Sequence, residues 1–191
     1  MKSIAVFCGS STGSNGIYEQ QAALLGKILA EKNIRLIYGG GKVGLMGILA
    51  NASLEAGGSV TGVIQEFLHE QEVAHDNLSE MCIVKTMHER KALIDKMSEG
   101  FIALPGGFGT LDELFEILTW GQLGLHQKPI GILNINAYFS NLMNAINTMV
   151  SEGFLREVNQ EMVLISENIE ELLSKMEGYR APEVPKWIDI L

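Results

Sequence analysis

The chain has 191 residues, 47% of them hydrophobic, and a formal net charge of -9 at neutral pH. A chain of that length buries about 70% of its extended surface on folding, so it needs no disulfide staples or structural metal to hold together. The acidic balance argues against sequence-independent nucleic-acid binding, which needs a basic footprint, but not against a small anion held by local cations or a helix N-terminus. Residues 3–8 form a short apolar run before Gly9 and read as a buried strand rather than a secretory leader. Residues 18–32 carry a helical apolar stripe through Ala22, Leu25 and Leu29. A second strand, 34–38, stops at Gly39-Gly40-Gly41, and a helix over 45–55 ends at Gly57-Gly58. A third strand is expected over 60–64 and a fourth over 81–84. Between them the polar stretch 65–79 reads as a mobile loop or short helix near a site. The rest alternates: helix 87–97, strand 101–104, helix 110–121, strand 130–133, helix 138–150, strand 162–165 and helix 169–176, with a tail from about 178 expected to be extended.

Strand and helix alternate along the whole chain, which predicts an α/β fold: one Rossmann-like domain over 1–191, a parallel sheet with helices on both faces. Ligands in such sheets bind beyond the carboxyl ends of the strands, where both glycine-rich loops fall. Cys8 and Cys82 lie in strand-like runs and read as buried, reduced thiols. His69, His75, His88 and His126 have no metal-ligand spacing, and the nine methionines read as core filling. No apolar run reaches membrane-spanning length, so a soluble cytoplasmic protein is expected.

The strongest motif is Pro105-Gly106-Gly107-Phe108-Gly109-Thr110-Leu111-Asp112-Glu113, which follows a strand and opens a helix. Glycines let a backbone approach a ligand, and a helix N-terminus presents unpaired N–H groups, together an anion cradle suited to phosphate. Thr110 and Glu113 also have capping-box spacing, so a purely structural role for Glu113 stays open. Glu116 lies one turn further on the same helix face. Two carboxylates beside such a cradle call for a cation, and Arg90-Lys91 supplies it: Thr86 and Glu89 box the start of the 87–97 helix, and Arg90 shares a stripe with Met87, Ile94 and Met97. An arginine there is expected to meet a carboxylate or a ligand phosphate. Gly39 to Gly44 spells GxGxxG with Glu66 after the next strand, a partial dinucleotide fingerprint placed after the second strand instead of the first. Ser10, after the first strand, and Gly40 and Gly41, after the second, are further candidate ligand contacts, and so are Gly106 and Met87.

Taken together, Phe7-Cys8-Gly9-Ser10-Ser11, Tyr38 to Gly41 with Gly44-Leu45-Met46-Gly47, Met87 to Lys91, Pro105 to Glu113, Thr119-Trp120 and Lys128-Pro129 resemble one family. It is the LOG (lonely guy) family of cytokinin riboside 5′-monophosphate phosphoribohydrolases, often labelled lysine decarboxylase-like. The resemblance runs from the first strand to about Phe154. It implies a Rossmann-like fold in homodimers, hydrolysis of the N-glycosidic bond of a nucleoside 5′-monophosphate, and no metal or organic cofactor. It implies catalytic roles for Arg90 and Glu113 and ligand contacts from Glu72, Arg90, Lys91, Gly107, Phe108, Gly109, Thr110, Leu111, Asp112, Glu113 and Thr119. A two-residue shift in the polar loop moves the Glu72 role to Glu70. In chemical terms, Glu113 would stabilise positive charge on the ribose or activate water, with Glu116 assisting and Arg90 holding the phosphate or orienting Glu113. A non-hydrolytic nucleotide carrier and an NAD(P)-dependent oxidoreductase are the rival readings. Decarboxylase chemistry would need a Schiff-base lysine with an acidic partner for the pyridinium, and no lysine is marked for it.

Overall fold

The first strand, β1 (Ser3–Phe7), is buried along its whole length and sits at the centre of the sheet. In a computed structural model that describes residues 1–70 and 74–182, six more strands flank it. They are β2 (Arg35–Tyr38), β3 (Val60–Gln65), β4 (Glu80–Val84), β5 (Phe101–Ala103), β6 (Ile130–Leu133) and β7 (Val163–Ser166). The order is β4-β3-β2-β1-β5-β6-β7, and every pairing is parallel. The chain builds outward from β1 to β4 on one side, then returns to lay β5 against the other side of β1. The strand order therefore reverses at β1/β5, the place where such sheets open a crevice at their carboxyl ends.

The helices are α1 (Ile17–Glu31), α2 (Gly44–Glu55), α3 (Glu66–Glu70), α4 (Met87–Met97), α5 (Phe108–Gln122), α6 (Ser140–Ser151), α7 (Glu157–Gln160) and α8 (Ile169–Glu177). Alternation along β1 splits the interior into two cores. Ile4 and Val6 face α1, α2 and α8 through Leu25, Leu29, Leu49 and Leu172. Ala5 and Phe7 face α4 and α5 through Ile94, Leu114 and Ile117. Each fully buried leucine or isoleucine contributes about 1.5–3 kcal/mol relative to an exposed one. Removing Leu29, which is 0% exposed, would therefore open a cavity in the first core.

All seven expected strands and six expected helices are present, with four differences. The helix expected from Thr110 starts at Phe108, two residues earlier, because Gly107 takes the extended N-cap position. The helix expected from Tyr138 starts at Ser140, preceded by a 3-10 turn over Ile135–Ala137. Short α3 falls in the stretch read as a loop or short helix, whereas short α7 interrupts a stretch with too few periodic residues to be seen as a helix. Cys8 is buried as expected, but Cys82 is only half-buried, because β4 is an edge strand with one side towards solvent. The expected extended tail falls largely on residues outside the described ones, and so does Glu72.

Candidate active site

Three loops converge at the carboxyl ends of β1, β2 and β5, and backbone hydrogen bonds tie them together. The Gly9 N–H donates to the Pro105 carbonyl at 3.1 Å, and the Leu45 N–H donates to the Gly9 carbonyl at 3.1 Å. Gly44, with φ +59°, packs so tightly on the backbone of Ser10 that no side chain fits there. The β2 loop is held from below by the Tyr38 hydroxyl, which donates to the Gly41 carbonyl at 3.1 Å. From the other side the His75 N–H donates to the Gly40 carbonyl at 2.8 Å, and Gly41 bridges to Ala74. The glycines of the GxGxxG string thus have packing reasons in Gly39 and Gly44, while the Gly40 carbonyl serves His75 and the Gly41 carbonyl serves Tyr38.

Gly107 caps α5 with no side-chain hydrogen bond, so no side chain occupies the helix N-terminus. A side chain added at Gly107 or Gly109 would meet nothing, so both open onto free space. The first N–H groups of α5 and its positive dipole end face that space. Beside it runs a cleft of about 310 Å³ lined by Ser10, Ser11, Tyr18, Pro105, Gly107 and Tyr138, a volume at the lower end of ordinary ligand pockets. Phe108 is 94% exposed at the rim, and Met87 is partly exposed at the start of α4. Leu111 packs inward against the second core.

Arg90 is 8% exposed and leaves the first turn of α4, whose start is fixed by the Thr86–Glu89 capping box. Its Nε donates to the Val63 carbonyl at 2.9 Å, and its Nη1 donates to Glu113 Oε1 at 2.8 Å. The remaining guanidinium nitrogen lies against Gly39, where a side chain would collide with it. Glu113 is therefore turned toward Arg90 and away from the start of its own helix, which removes the capping-box role its spacing allowed. Burial pushes the Glu113 carboxyl above the usual carboxylate range, with Arg90 pulling in the opposite direction. Cys8 lies close enough to Glu113 to feel its charge. Burial first and that charge second push the thiol up, so it stays protonated and inert.

Lys91 reaches the other two acids: its Nζ lies 2.8 Å from Asp112 and 3.2 Å from Glu116. Burial works against the ammonium, but the hydrogen bonds to both carboxylates outweigh it and hold Lys91 above its ordinary value. Phe7, Lys91, Ile94, Glu113, Glu116 and Ile117 enclose a void of about 10 Å³ between α4 and α5. The structure thus brings Arg90, Lys91, Asp112, Glu113 and Glu116 together beside the cradle formed by Gly106, Gly107 and Gly109. Thr110 is buried behind that cradle.

Thr119 does not join them. It is exposed, its hydroxyl donates back to the Phe115 carbonyl at 2.7 Å, and it lines a separate cleft with Leu118, Met149 and Phe154. Six residues beyond Glu113, it has turned to another side of α5. Among the described residues no group of three or more His, Cys, Asp or Glu could hold a metal. His75 and His126 each accept a backbone N–H at Nδ1 and use Nε2 toward an oxygen, at Asn51 and Ile117 respectively, and burial keeps both below the ordinary histidine value. The sequence did not single out the Val63 carbonyl or the hydroxyls of Tyr38 and Tyr138. A tyrosine at a strand's carboxyl end was the one available hint, and it names no partner.

A seven-stranded parallel sheet with a glycine cradle at its strand-order reversal makes this a Rossmann-like α/β protein with its site at the switch point. Solved structures share that fold: the molybdenum cofactor binding protein of Rippkaea orientalis has a TM-score of 0.71 at 20% identity, covering 93% of this chain and 97% of that one. The Moco carrier protein of Chlamydomonas reinhardtii has 0.69 at 19%, covering 92% and 95%. Residues 46–176 match the family described as "Possible lysine decarboxylase". The cytokinin riboside 5′-monophosphate phosphoribohydrolase LOG1 of Arabidopsis thaliana is 44% identical over 93% of this chain and 84% of its own length. LOG2 of the same plant is 42% identical over 98% and 86%, and the probable phosphoribohydrolase LOGL2 of Oryza sativa subsp. japonica is 44% identical over 92% and 72%. The chain belongs to the LOG family. The decarboxylase description finds no support in the lysine nearest the cradle: Lys91 is held charged by two carboxylates, the reverse of what a Schiff-base nucleophile requires.

Proposed function

We infer that this protein hydrolyses the N-glycosidic bond of purine nucleoside 5′-monophosphates, of the cytokinin type or AMP, to free base and ribose 5-phosphate. The observation that carries the reading is the placement of Glu113, paired with Arg90 of α4, on the same helix as a glycine-lined N-terminus that no side chain caps. Glu113 lies about 9 Å along α5 from Gly107, a span that suits a ribose 5-phosphate with its phosphate on the helix N-terminus and its anomeric carbon near the carboxylate. As the C1′–N9 bond lengthens, the electron pair goes to the base and positive charge builds on the sugar. Glu113 stabilises that charge and takes a proton from the attacking water, whose oxygen forms the new C1′–O bond; the same proton then leaves Glu113 and, through solvent, reaches the departing base nitrogen. Arg90, with Nε and Nη1 both engaged inside the protein, orients Glu113, and the α5 N-terminus holds the phosphate. Glu116, Asp112 and Lys91 form the adjoining charged wall, and Ser10, Met87 and Phe108 border the substrate, while Gly40 and Gly41 are buried behind it.

The test is incubation with AMP, isopentenyladenosine 5′-monophosphate and adenosine, following base and ribose 5-phosphate by chromatography. Release from a monophosphate, absent from adenosine and lost in Glu113→Gln, is expected, because phosphate binding supplies the positioning energy. Equal turnover of adenosine and AMP overturns the reading. The rival carrier reading gains nothing from the fold likeness to molybdenum cofactor proteins, which at 18–20% identity concerns the fold alone.

The working form is a homodimer. Phe154 is 86% exposed, a large apolar side chain left facing solvent. Phe154 borders a cleft of about 280 Å³ between α5, α6 and α7. A second copy covers the exposed Phe154 side of this cleft. No helix among the described residues is long and apolar enough to cross a membrane, and the net charge of -9 argues against a nucleic-acid partner while leaving room for a small anion held at the α5 N-terminus.

A further inference from the structure

After β6 the chain takes an unusual path. Asn136 and Ala137 both have positive φ, 51° and 56°, consecutive left-handed residues without a glycine. Side chains rarely adopt this conformation, and for alanine there is no side-chain hydrogen bond to compensate. Such backbone persists where surrounding contacts over-determine it, and it concentrates at functional sites. Here the contacts are on both sides. The Asn134 Oδ1 accepts the Phe139 N–H at 2.7 Å, and Phe139 is buried in the second core. Between these anchors the strained turn delivers Tyr138, whose hydroxyl donates to the Gly106 carbonyl at 2.7 Å. The Tyr138 ring is gripped edge-on by Tyr18 at 5.9 Å and Phe139 at 5.0 Å between centroids.

The consequence lies in the Gly106–Gly107 peptide. A trans peptide is planar, with its C=O and N–H pointing in opposite directions. No cis bond occurs among the described residues. Fixing the Gly106 carbonyl on Tyr138 therefore fixes the Gly107 N–H away from Tyr138, at the mouth of the α5 N-terminus. The neighbouring peptide is fixed similarly, since the Pro105 carbonyl accepts the Gly9 N–H at 3.1 Å. A glycine pair is otherwise free to flip, and a flipped Gly106–Gly107 peptide would present a carbonyl oxygen where the N–H stands.

We propose that Tyr138 is a positioning residue for the anion cradle: its hydroxyl, aimed by the strained Asn136–Ala137 turn, locks the Gly106–Gly107 peptide with its N–H toward the substrate phosphate. This rests on the phosphate-binding part of the proposed function. Tyr138 does not touch the reacting atoms, so its effect falls on phosphate affinity and not on the chemical step.

The experiment compares the full-length protein with Tyr138→Phe, which loses only the hydroxyl of a partly exposed ring. Calorimetry measures affinity for AMP, adenosine and inorganic phosphate, steady-state kinetics measure KM and kcat for AMP, and thermal melting checks the fold. The expected result is an unchanged melting midpoint, affinity for AMP and phosphate weakened by about tenfold, the cost of one charge-directed hydrogen bond, and unchanged affinity for adenosine. KM for AMP should rise by the same factor and kcat much less. AMP and phosphate affinity within about twofold of the wild type overturns the proposal, as does equal weakening of AMP and adenosine. A wild-type protein that binds phosphate but does not cleave AMP would sink the hydrolase reading and leave the phosphate comparison to decide on Tyr138. A wild type that binds neither overturns both.

Discussion

Arg90 and Glu113 meet at 2.8 Å across two helices that cover the same face of the sheet, one entering β5 and the other leaving it. The pair is nearly buried, and Arg90 spends a further donor on the Val63 carbonyl, so the carboxylate is held from one side only. The second oxygen of Glu113 makes no hydrogen bond to the described residues, which suits the proposed role. Substituting Glu113→Gln preserves shape but loses charge, and turnover of a nucleoside 5′-monophosphate should fall by about 10²–10⁴-fold. Substrate binding, measured by calorimetry, should change little. A variant that retains near-wild-type turnover would show that the pair is structural.

The direction of the Glu113 shift has a pH signature. Its carboxyl titrates above the usual carboxylate range because burial outweighs the pull of Arg90. If its ionised form activates water, kcat/KM falls on the acid side with a midpoint displaced upward. In Arg90→Gln, the midpoint moves up again as the opposing pull is lost. The stability effect runs the other way. The folded state holds the Glu113 proton more tightly than the unfolded chain. Stability therefore decreases as pH rises from the ordinary carboxylate value through the raised one, and this dependence vanishes in Glu113→Gln. Melting curves of the two proteins across the acid range test the sign, and a pH-rate profile that rises toward acid would instead assign Glu113 the role of proton donor.

Gly39 gives the site a test in the backbone. A methyl group there collides with the Arg90 guanidinium. Since Arg90 is anchored at both Val63 and Glu113, it cannot yield without breaking one contact. Gly39→Ala should cost about 1–3 kcal/mol of stability, the usual range for overpacking, and reduce turnover through misplacement of Glu113. Chemical denaturation and AMP hydrolysis measure the two effects. Unchanged values for both would mean that the guanidinium has room to shift.

The expected fold was legible because the signals were local: the apolar runs of β1, β2 and β5 are continuous since these strands are buried on both faces, and the helices carry their stripes. The Arg90–carboxylate meeting was legible for a similar reason, since a cation on an apolar stripe near a helix N-terminus has few places to go. What escaped depends on contacts between distant segments. The two glycine loops look alike in sequence, yet Gly39 and Gly44 answer to Arg90 and Ser10, while Gly107 and Gly109 face open space. Thr110 and Glu113 carry capping-box spacing that the fold does not use, because Gly107 caps the helix first. Thr119 is near Glu113 in sequence and on another side of α5 in space.

The apolar surface around Phe154 predicts the assembly. Phe154→Glu places a charge on a side chain that is already exposed, so the isolated subunit should fold as before. If that surface is the dimer contact, sedimentation of the variant at micromolar concentration should show monomer where the wild type shows dimer, since burying an unpaired carboxylate in an apolar interface is strongly unfavourable. A wild-type protein that sediments as a monomer removes the dimer, and a variant that remains dimeric moves the contact elsewhere.

Gly109→Ala separates the cradle from the fold. Position 109 lies in the first turn of α5, and an added methyl group meets no protein atom. Alanine favours a helix over glycine by about 0.8–1.0 kcal/mol in a helix interior, so the variant should melt at or above the wild-type temperature. The methyl group nonetheless projects into the space assigned to the phosphate. Affinity for AMP should therefore fall while stability holds or rises, the reverse of the Gly39→Ala pattern, in which stability and activity fall together. Calorimetry with AMP and a melting curve on the same sample suffice. If Gly109→Ala binds AMP as tightly as the wild type, the phosphate does not sit over the first turn of α5, and the placement of the ribose beside Glu113 falls with it.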